Sequence, residues 1–116
     1  MSKVATIYHN PRCSKSRQAL AILEETGTSV EIIEYLKVPP TQEKLTQIIT
    51  MLNIPPHDIL RTKENAYKQC GLSSNSTTED IIKAINENPI LLERPIVIVG
   101  QAAIIGRPPE NICQLL

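Results

Sequence analysis

The stretch His-Asn-Pro-Arg-Cys-Ser-Lys-Ser-Arg at residues 9–17 constrains the fold of this chain more than any other part of it. Residues 3–8 ahead of it predict a short buried strand, and residues 18–25 behind it predict a helix that Gly27 ends. A cysteine in such a turn lies near the helix N-terminus, where unpaired N–H groups favour a thiolate and bind anions. The stretch therefore predicts a nucleophile and an anion site at one point.

The elements that follow indicate an α/β fold. A second strand at residues 30–36 completes a βαβ unit, which predicts two parallel strands joined by a right-handed crossover. Thr41 is a candidate N-cap for a helix over residues 42–52, which has one apolar face. The remaining predicted elements are short helices at 57–61 and 64–70, a helix from 77 to 88, a hairpin of strands 95–99 and 102–105, and a final helix over 108–115.

Composition sets further bounds on fold and function. With 116 residues, the chain fits a single domain over residues 1–116, and without Phe or Trp its core must be aliphatic. Twelve basic and twelve acidic side chains cancel, so no nucleic-acid partner is expected. No apolar run reaches the length of a membrane span, and the first residues lack a signal-peptide pattern. We therefore expect a cytoplasmic protein with no membrane partner, and three cysteines without a Cys-x-x-Cys pair fit that reducing compartment.

Cys13 has two interpretations, a small buried core residue or a reactive thiol. Its neighbours include the cations Arg12, Lys15 and Arg17, which are unusual in a core and favour a reactive thiol with a lowered pKa. His9 could hydrogen-bond the thiolate or simply cap the end of the strand, and the sequence leaves both open.

Ser16 stands where a Cys-x-x-Cys motif would place its second sulfur, so no disulfide of that motif can form. A redox cycle at Cys13 then needs an outside thiol, or Cys70 or Cys113. Those two lie in apolar or helical context, and we expect structural roles for them. The Cys-x5-Arg pattern of tyrosine phosphatases fails because Ala19 stands at the arginine position, and the His and Cys spacing predicts no metal site.

Three later arginines are candidate anion ligands: Arg61, Arg94 and Arg107. Taken singly, each also fits a solvated surface residue. Arg94 and Arg107 both precede proline and flank the predicted hairpin, so strand pairing would bring them to the same end in space. Guanidinium groups bind oxyanions in bidentate fashion and keep their charge. An anion at the helix start could therefore meet both.

Four ordered motifs together resemble the glutaredoxin-dependent arsenate reductase family. They are HNPRCSKSR at 9–17, LRTKE at 60–64, ERPIVI at 93–98 and GRPPE at 106–110. The resemblance spans almost the whole chain and implies a thioredoxin-like α/β fold, with a mixed four-stranded sheet and a helical insertion. It also implies a cis peptide bond between Arg94 and Pro95.

The resemblance further implies a chemistry and a set of roles. The implied roles are nucleophile for Cys13, support of its thiolate for His9 and Ser16, and binding of the substrate oxyanion for Arg61, Arg94 and Arg107. The thiolate would attack arsenate to form a covalent adduct. Glutathione as co-substrate and glutaredoxin would resolve this adduct with release of arsenite, and no bound cofactor is implied.

Two alternatives stay open beside the reductase. A thiol transferase acting on glutathione mixed disulfides would use Cys13 without any oxyanion chemistry. A non-enzymatic interaction protein of the Spx type would share the fold, but such proteins typically carry Cys-x-x-Cys, which Ser16 contradicts. Ser14 and Lys15 also depart from the Gly-Thr that the best-known reductases carry after the cysteine. Ser16 and the three arginines favour the reductase.

Overall fold

A computed structural model describes residues 4–116 of the chain, so Lys3, the predicted start of the first strand, and the N-terminal segment before it lie outside the described residues. Its strands are β1 (Val4–His9), β2 (Ser29–Glu34), β3 (Ile96–Val99) and β4 (Ala102–Ile105). They form one sheet in the order β2-β1-β3-β4, in which β1 and β2 are parallel and the other pairs are antiparallel. The predicted α/β fold with a mixed four-stranded sheet is confirmed.

The helices follow the predicted order. They are α1 (Ser14–Glu25), α2 (Gln42–Leu52), α3 (Asn65–Gln69) and α4 (Thr78–Glu87), with 3₁₀ helices at Pro56–Ile59, Pro89–Leu91 and Pro109–Leu115. Thr41 and Thr77 cap α2 and α4 with their hydroxyls, which accept from the N–H groups of Lys44 and Asp80. No helix within residues 4–116 has the length and apolar character needed to cross a membrane.

The chain divides into two compact units. The sheet unit contains the chain up to Val38 together with Arg94–Leu116, and the helical unit contains Pro39–Glu93. The sheet unit holds all four strands, α1 and the last 3₁₀ helix, whereas the helical unit holds α2, α3 and α4. A single domain over residues 1–116 therefore stays a prediction.

The core of the sheet unit is aliphatic, as the composition requires. Six fully buried residues form it: Ala5, Ile7, Ala19, Leu23, Val97 and Ile112. Ala19 and Leu23 are four residues apart on α1 and therefore share one face of the helix. Truncation of a buried leucine to alanine lowers the free energy of unfolding by about 2–5 kcal/mol. The packing of Leu23 in this core therefore fixes α1, and the residues at its start, relative to the sheet.

Several elements differ from the predictions in their bounds or type, and three of these differences have a clear physical reason. The helix α1 begins at Ser14 rather than residue 18, because its polar first turn carries no apolar periodicity. Strand β2 ends at Glu34 rather than residue 36, because the Glu34 carbonyl accepts the N–H of Lys37 in a turn. The last helix is 3₁₀ rather than α. Its apolar residues recur every three positions, which matches the three residues per turn of a 3₁₀ helix.

Candidate active site

Cys13 is the N-cap residue of α1, as the strand-turn-helix pattern predicts. The turn before it is held by Asn10, whose carbonyl accepts the N–H of Cys13 and whose side-chain oxygen accepts the N–H of Arg12, both at 3.0 Å. The Arg17 guanidinium donates to the carbonyl of Pro11 at 2.8 Å. These bonds hold the cysteine at the start of the helix.

The Cys13 side chain makes no N-cap hydrogen bond, but its sulfur lies at the start of α1. There the backbone N–H groups of Lys15 and Ser16, the second and third residues of α1, favour the thiolate. Burial raises the pKa of the Cys13 thiol, but the Ser16 N–H, the Arg94 guanidinium and the Lys15 N–H together lower it below the ordinary cysteine value. A lowered pKa is the predicted result, but the cation responsible is Arg94 rather than those next to Cys13 in sequence.

Arg94 and Arg107 meet at the Cys13 sulfur. The Arg94 guanidinium hydrogen-bonds to this sulfur, and Arg107 Nη2 lies 3.8 Å from it. Arg107 Nε also donates to the Arg94 carbonyl at 2.8 Å. The hairpin therefore brings the two arginines to the same end in space, as its sequence predicts. The Arg94–Pro95 bond is cis, which confirms that prediction, and the Arg107–Pro108 bond is also cis, although no sequence feature predicted it.

Gly106 allows the end of β4 to approach the start of β3. Its N–H donates to the Pro95 carbonyl at 2.8 Å. A Cβ atom at Gly106 would stand only 2.9 Å from Pro95 Cγ and 3.2 Å from Ile112 Cγ2. Both distances are shorter than van der Waals contact, so a larger residue would force the backbone at Gly106 and the Pro95 ring apart.

His9 and Ser16 form a buried pair behind the cysteine. Ser16 Oγ accepts the N–H of Asn10 at 3.0 Å and lies 2.6 Å from His9 Nδ1. Burial lowers the pKa of His9, Glu34 opposes this, and Arg17 lowers it further, so the ring is neutral at pH 7. A neutral ring can accept at Nδ1, so we assign the serine hydroxyl as the donor in this pair.

His9 makes a contact that neither of its two interpretations named, and its support of the thiolate stays a prediction. The ring bonds the Ser16 hydroxyl, and Ser16 in turn contacts Cys13 through its backbone N–H. Ser16 is fully buried. The pair therefore fixes the first turn of α1, and with it the N–H group that faces the sulfur.

Arg61 belongs to the helical unit and has a different environment. Its Nε lies 3.4 Å from Glu64 Oε1, and its Nη1 lies 3.3 Å from Glu93 Oε1. Its N–H donates to the Leu91 carbonyl at 2.8 Å, which ties its backbone to the segment before Arg94. The role of Arg61 as an oxyanion ligand stays a prediction.

Cys70 and Cys113 differ from what we expected of them. Both thiols are free and exposed, so apolar packing does not hold either one. Cys70 follows the last residue of α3, and its sulfur accepts a hydrogen bond from the Asn88 side-chain amide at 3.3 Å. Burial of these two cysteines could not be predicted from their sequence neighbours, because apolar neighbours do not show which way a given side chain points.

Tyr35 lies in the predicted second strand, and the sequence predicts no functional role for it. It follows β2 directly, has no exposed surface and raises the pKa of the Arg94 guanidinium through its electrostatic interaction with it, although burial opposes this. One sequence signal could have drawn attention to it, since it is one of only three tyrosines in a chain without Phe or Trp.

Metal ligands do not cluster in the part of the chain that the structure describes. Within residues 4–116, no group of three or more His, Cys, Asp or Glu side chains is arranged to hold a metal ion. The predictions of no bound metal and no bound cofactor remain predictions.

The arrangement at Cys13 combines a nucleophile with donors for an anion. The sulfur can attack as a thiolate, while the N–H groups at the start of α1 and the guanidinium groups of Arg94 and Arg107 can hold the oxygens of a small oxyanion. Such donors also stabilise negative charge that develops on those oxygens during attack.

Comparisons with known proteins identify relatives of this chain in sequence and in structure. The sequence profile of the ArsC family matches residues 8–115. An arsenate reductase of Neisseria meningitidis serogroup A is 44% identical over 108 residues, which cover 91% of this chain and 92% of the relative. The uncharacterized Escherichia coli protein YfgD is 41% identical and is matched over 100% of this chain and 99% of its own. An arsenate reductase structure from Vibrio cholerae matches with a TM-score of 0.96 at 38% identity, covering 100% of both chains.

Proposed function

This chain belongs to the ArsC family, and on that premise we propose that it reduces arsenate with Cys13 as the nucleophile. The observation that carries the proposal is the convergence on one sulfur of two N–H groups at a helix start, the Arg94 guanidinium and the Arg107 guanidinium. A thiol transferase needs the thiolate that Arg94 stabilises, but it needs no site for the oxygens of an oxyanion, which the N–H groups at the helix start and the two guanidinium groups can supply together.

Arsenate binds, in this proposal, as a tetrahedral dianion held by charge-assisted hydrogen bonds. Arg94 and Arg107 donate to its oxygens together with N–H groups at the start of α1. Arg61 is the third ligand that the family resemblance implies. Binding in this way places arsenic next to the sulfur, so that the attack becomes effectively unimolecular.

The covalent step replaces one As–O bond by an As–S bond. The Cys13 thiolate attacks arsenic, and one arsenate oxygen leaves as water after taking up protons from solution. Arsenic keeps its pentavalent state in this step, because no electrons have yet been transferred to it. The low pKa of Cys13 makes the nucleophile available at neutral pH.

Reduction then uses two outside thiols. Glutathione attacks the adduct as co-substrate, and a glutaredoxin thiol removes the glutathione as a mixed disulfide. Glutathione bonds to arsenic and displaces a second oxygen as water, and attack of the glutaredoxin thiolate on the glutathione sulfur leaves the As–S electron pair on arsenic, which becomes trivalent. Water then replaces Cys13 on arsenic, so arsenite leaves and the Cys13 thiolate is regenerated. No metal or bound cofactor enters the cycle. Its reductants are those of the cytoplasm, which is the compartment we propose.

A coupled assay tests the proposal. Purified protein is mixed with arsenate, glutathione, glutaredoxin, glutathione reductase and NADPH, and arsenate-dependent NADPH oxidation is followed. We expect turnover by the wild type and complete loss in Cys13→Ser, because a serine hydroxyl is a far weaker acid and cannot complete the redox cycle. Folded Cys13→Ser should still bind arsenate weakly in calorimetry, since the donors for the oxygens remain.

The double variant Cys70→Ser, Cys113→Ser is the matched control for loss of a thiol, and we expect it to retain wild-type turnover. Reduction of a glutathione mixed disulfide without any arsenate-dependent turnover would contradict the proposal in favour of the thiol transferase. Turnover that requires Cys70 or Cys113 would contradict the proposed dependence on outside thiols alone.

A further inference from the structure

The main chain at Arg61 is held firmly within the helical unit. The N–H of Arg61 donates to the Leu91 carbonyl at 2.8 Å. Leu60, the residue before it, forms an antiparallel β-bridge with Leu92. These contacts join two segments of the unit that are far apart in sequence, so the backbone that carries the Arg61 side chain is fixed.

The guanidinium of Arg61 is held less tightly than its backbone. Its Nε lies 3.4 Å from Glu64 Oε1, and its Nη1 lies 3.3 Å from Glu93 Oε1. Strong hydrogen bonds between a charged N–H group and an oxyanion are shorter, at about 2.7–2.9 Å. The three side chains also keep 22–28% of their surface exposed, so water screens the ion pairs and a solute can reach them. A fixed backbone and a loosely held guanidinium allow this side chain to exchange one anionic partner for another.

Two carboxylates face a single guanidinium in this cluster, so the three side chains together carry a negative charge. An oxyanion that approaches Arg61 is therefore repelled by Glu64 and Glu93 while Arg61 attracts it. A dianion such as arsenate can compete with the two carboxylates, because it can accept shorter hydrogen bonds from the guanidinium. Arsenite is uncharged at neutral pH and has no such means of competing. The cluster can therefore distinguish the two species by charge.

We propose that Glu64 and Glu93 are the resting partners of Arg61, which an oxyanion must displace before the guanidinium can bind it. The two carboxylates thereby weaken the binding of arsenate, and they pair with Arg61 again once the uncharged product has formed. This role rests on the proposed function, in which Arg61 is an arsenate ligand. The competition for Arg61 can be measured without any turnover of arsenate.

Sulfate is the probe for this test, because it is a tetrahedral dianion that a thiol does not reduce. Its affinity is measured by NMR titration for the parent protein and for Glu64→Gln, which removes a negative charge and keeps the size of the side chain. Ionic strength is held at about 0.15 M with NaCl, so that screening stays constant. We expect Glu64→Gln to bind sulfate roughly 2- to 5-fold more tightly, on the scale of a partly exposed ion pair. Glu93→Gln should act in the same direction, and KM for arsenate should fall by a similar factor.

A double-mutant cycle separates exchange of partners from general repulsion. In an Arg61→Leu background, Glu64→Gln should leave the sulfate affinity unchanged, because no guanidinium remains to be released. Glu87→Gln is the matched control, since Glu87 is an exposed glutamate at the end of α4 in the same unit. It should bind sulfate like the parent protein.

Weaker sulfate binding in Glu64→Gln would overturn the inference, because the carboxylate would then orient Arg61 for the anion rather than compete with it. So would an unchanged affinity in folded Glu64→Gln and Glu93→Gln, an equal gain with and without Arg61, or no measurable sulfate binding in any of these proteins. Absence of arsenate turnover in the parent protein would refute the proposed function, whereas the sulfate titration would still decide the competition for Arg61.

Discussion

Cys13 and Cys70 both lie at the end of a helix, but at opposite ends. Cys13 is the N-cap of α1, where the N–H groups of Lys15 and Ser16 face its sulfur. Cys70 is the C-cap of α3, where the helix presents carbonyl groups and a partial negative charge. Two guanidinium groups lie at the first sulfur, and one neutral amide, from Asn88, bonds the second.

Arg94 of the sheet unit and Arg61 of the helical unit likewise differ in the groups that surround their charge. Arg94 contacts a thiol and a tyrosine, so an anion can meet its charge. Arg61 lies against two carboxylates, those of Glu64 and Glu93, so its charge is already balanced. The comparison teaches that neither a cysteine nor an arginine makes a site by its identity. The groups around it decide whether a negative charge is stabilised there.

Among the variants that test this comparison, Arg94→Leu should have the largest effect on activity and on the pKa of Cys13. It removes a charged hydrogen bond to Cys13 and a proposed ligand of arsenate, so we expect kcat/KM for arsenate to fall roughly 10- to 150-fold. The pKa of Cys13 should rise, because a group that stabilises the thiolate is lost. Steady-state kinetics and thiolate titration measure the two effects.

Arg12→Leu is the matched control for Arg94→Leu, because Arg12 is an exposed cation directly beside Cys13 in sequence. It should change neither quantity by more than about twofold, since surface charges are screened by solvent. Equal losses in the two variants would mean that general positive charge, rather than the Arg94 contact, activates the cysteine.

The two cysteines should also differ in their rates of alkylation in the wild-type protein. The folded-state pKa of Cys13 is lowered, so its rate should rise with pH through that lowered value and level off before the range of an ordinary thiol. At mildly acidic pH, Cys13 should react more than about tenfold faster than Cys70, which mass spectrometry of labelled peptides can measure. Equal rates at that pH would remove the distinction between the two helix ends.

Arg61→Leu should have the smallest effect on chemistry. Because Glu64 and Glu93 already balance its charge, we expect a rise in KM for arsenate of roughly 2- to 5-fold and an unchanged Cys13 pKa. The free energy of unfolding should fall by about 1 kcal/mol, since two partly buried ion pairs are lost. Lys63→Leu, at an exposed position nearby, is the control. A loss as large as that of Arg94→Leu would contradict the contrast between the two arginines.

The parts of the fold with local signals could be predicted from the sequence. The bounds of α2 follow from the hydroxyl of Thr41 at its start and from Asn53, which adopts a left-handed conformation with φ of 54° at its end. The position of Cys13 was also predictable, because a strand, a turn and a helix are adjacent in sequence. The first turn of α1 was missed because polar residues have no apolar periodicity.

The contacts of the site that join distant residues could not be predicted in the same way. Nothing near Tyr35 in sequence indicates that it would interact electrostatically with Arg94, because this interaction depends on how the sheet arranges the end of β2 and the start of β3. The hairpin did predict that Arg94 and Arg107 lie at one end, since strand pairing is a local rule. It did not predict that both would reach the Cys13 sulfur.

The contact at Gly106 has a consequence for how such a site can evolve. The close approach of Arg107 to Arg94 requires a residue without a side chain at position 106, because a Cβ atom there would collide with Pro95. Replacement of either arginine during evolution would alter the charge of the site but leave the spacing of the backbone at Gly106 and Pro95 unchanged. A change in the spacing of the two arginines would have to alter the packing of Gly106 against Pro95. The spacing between the two arginines is thus maintained by a glycine that has no functional group of its own.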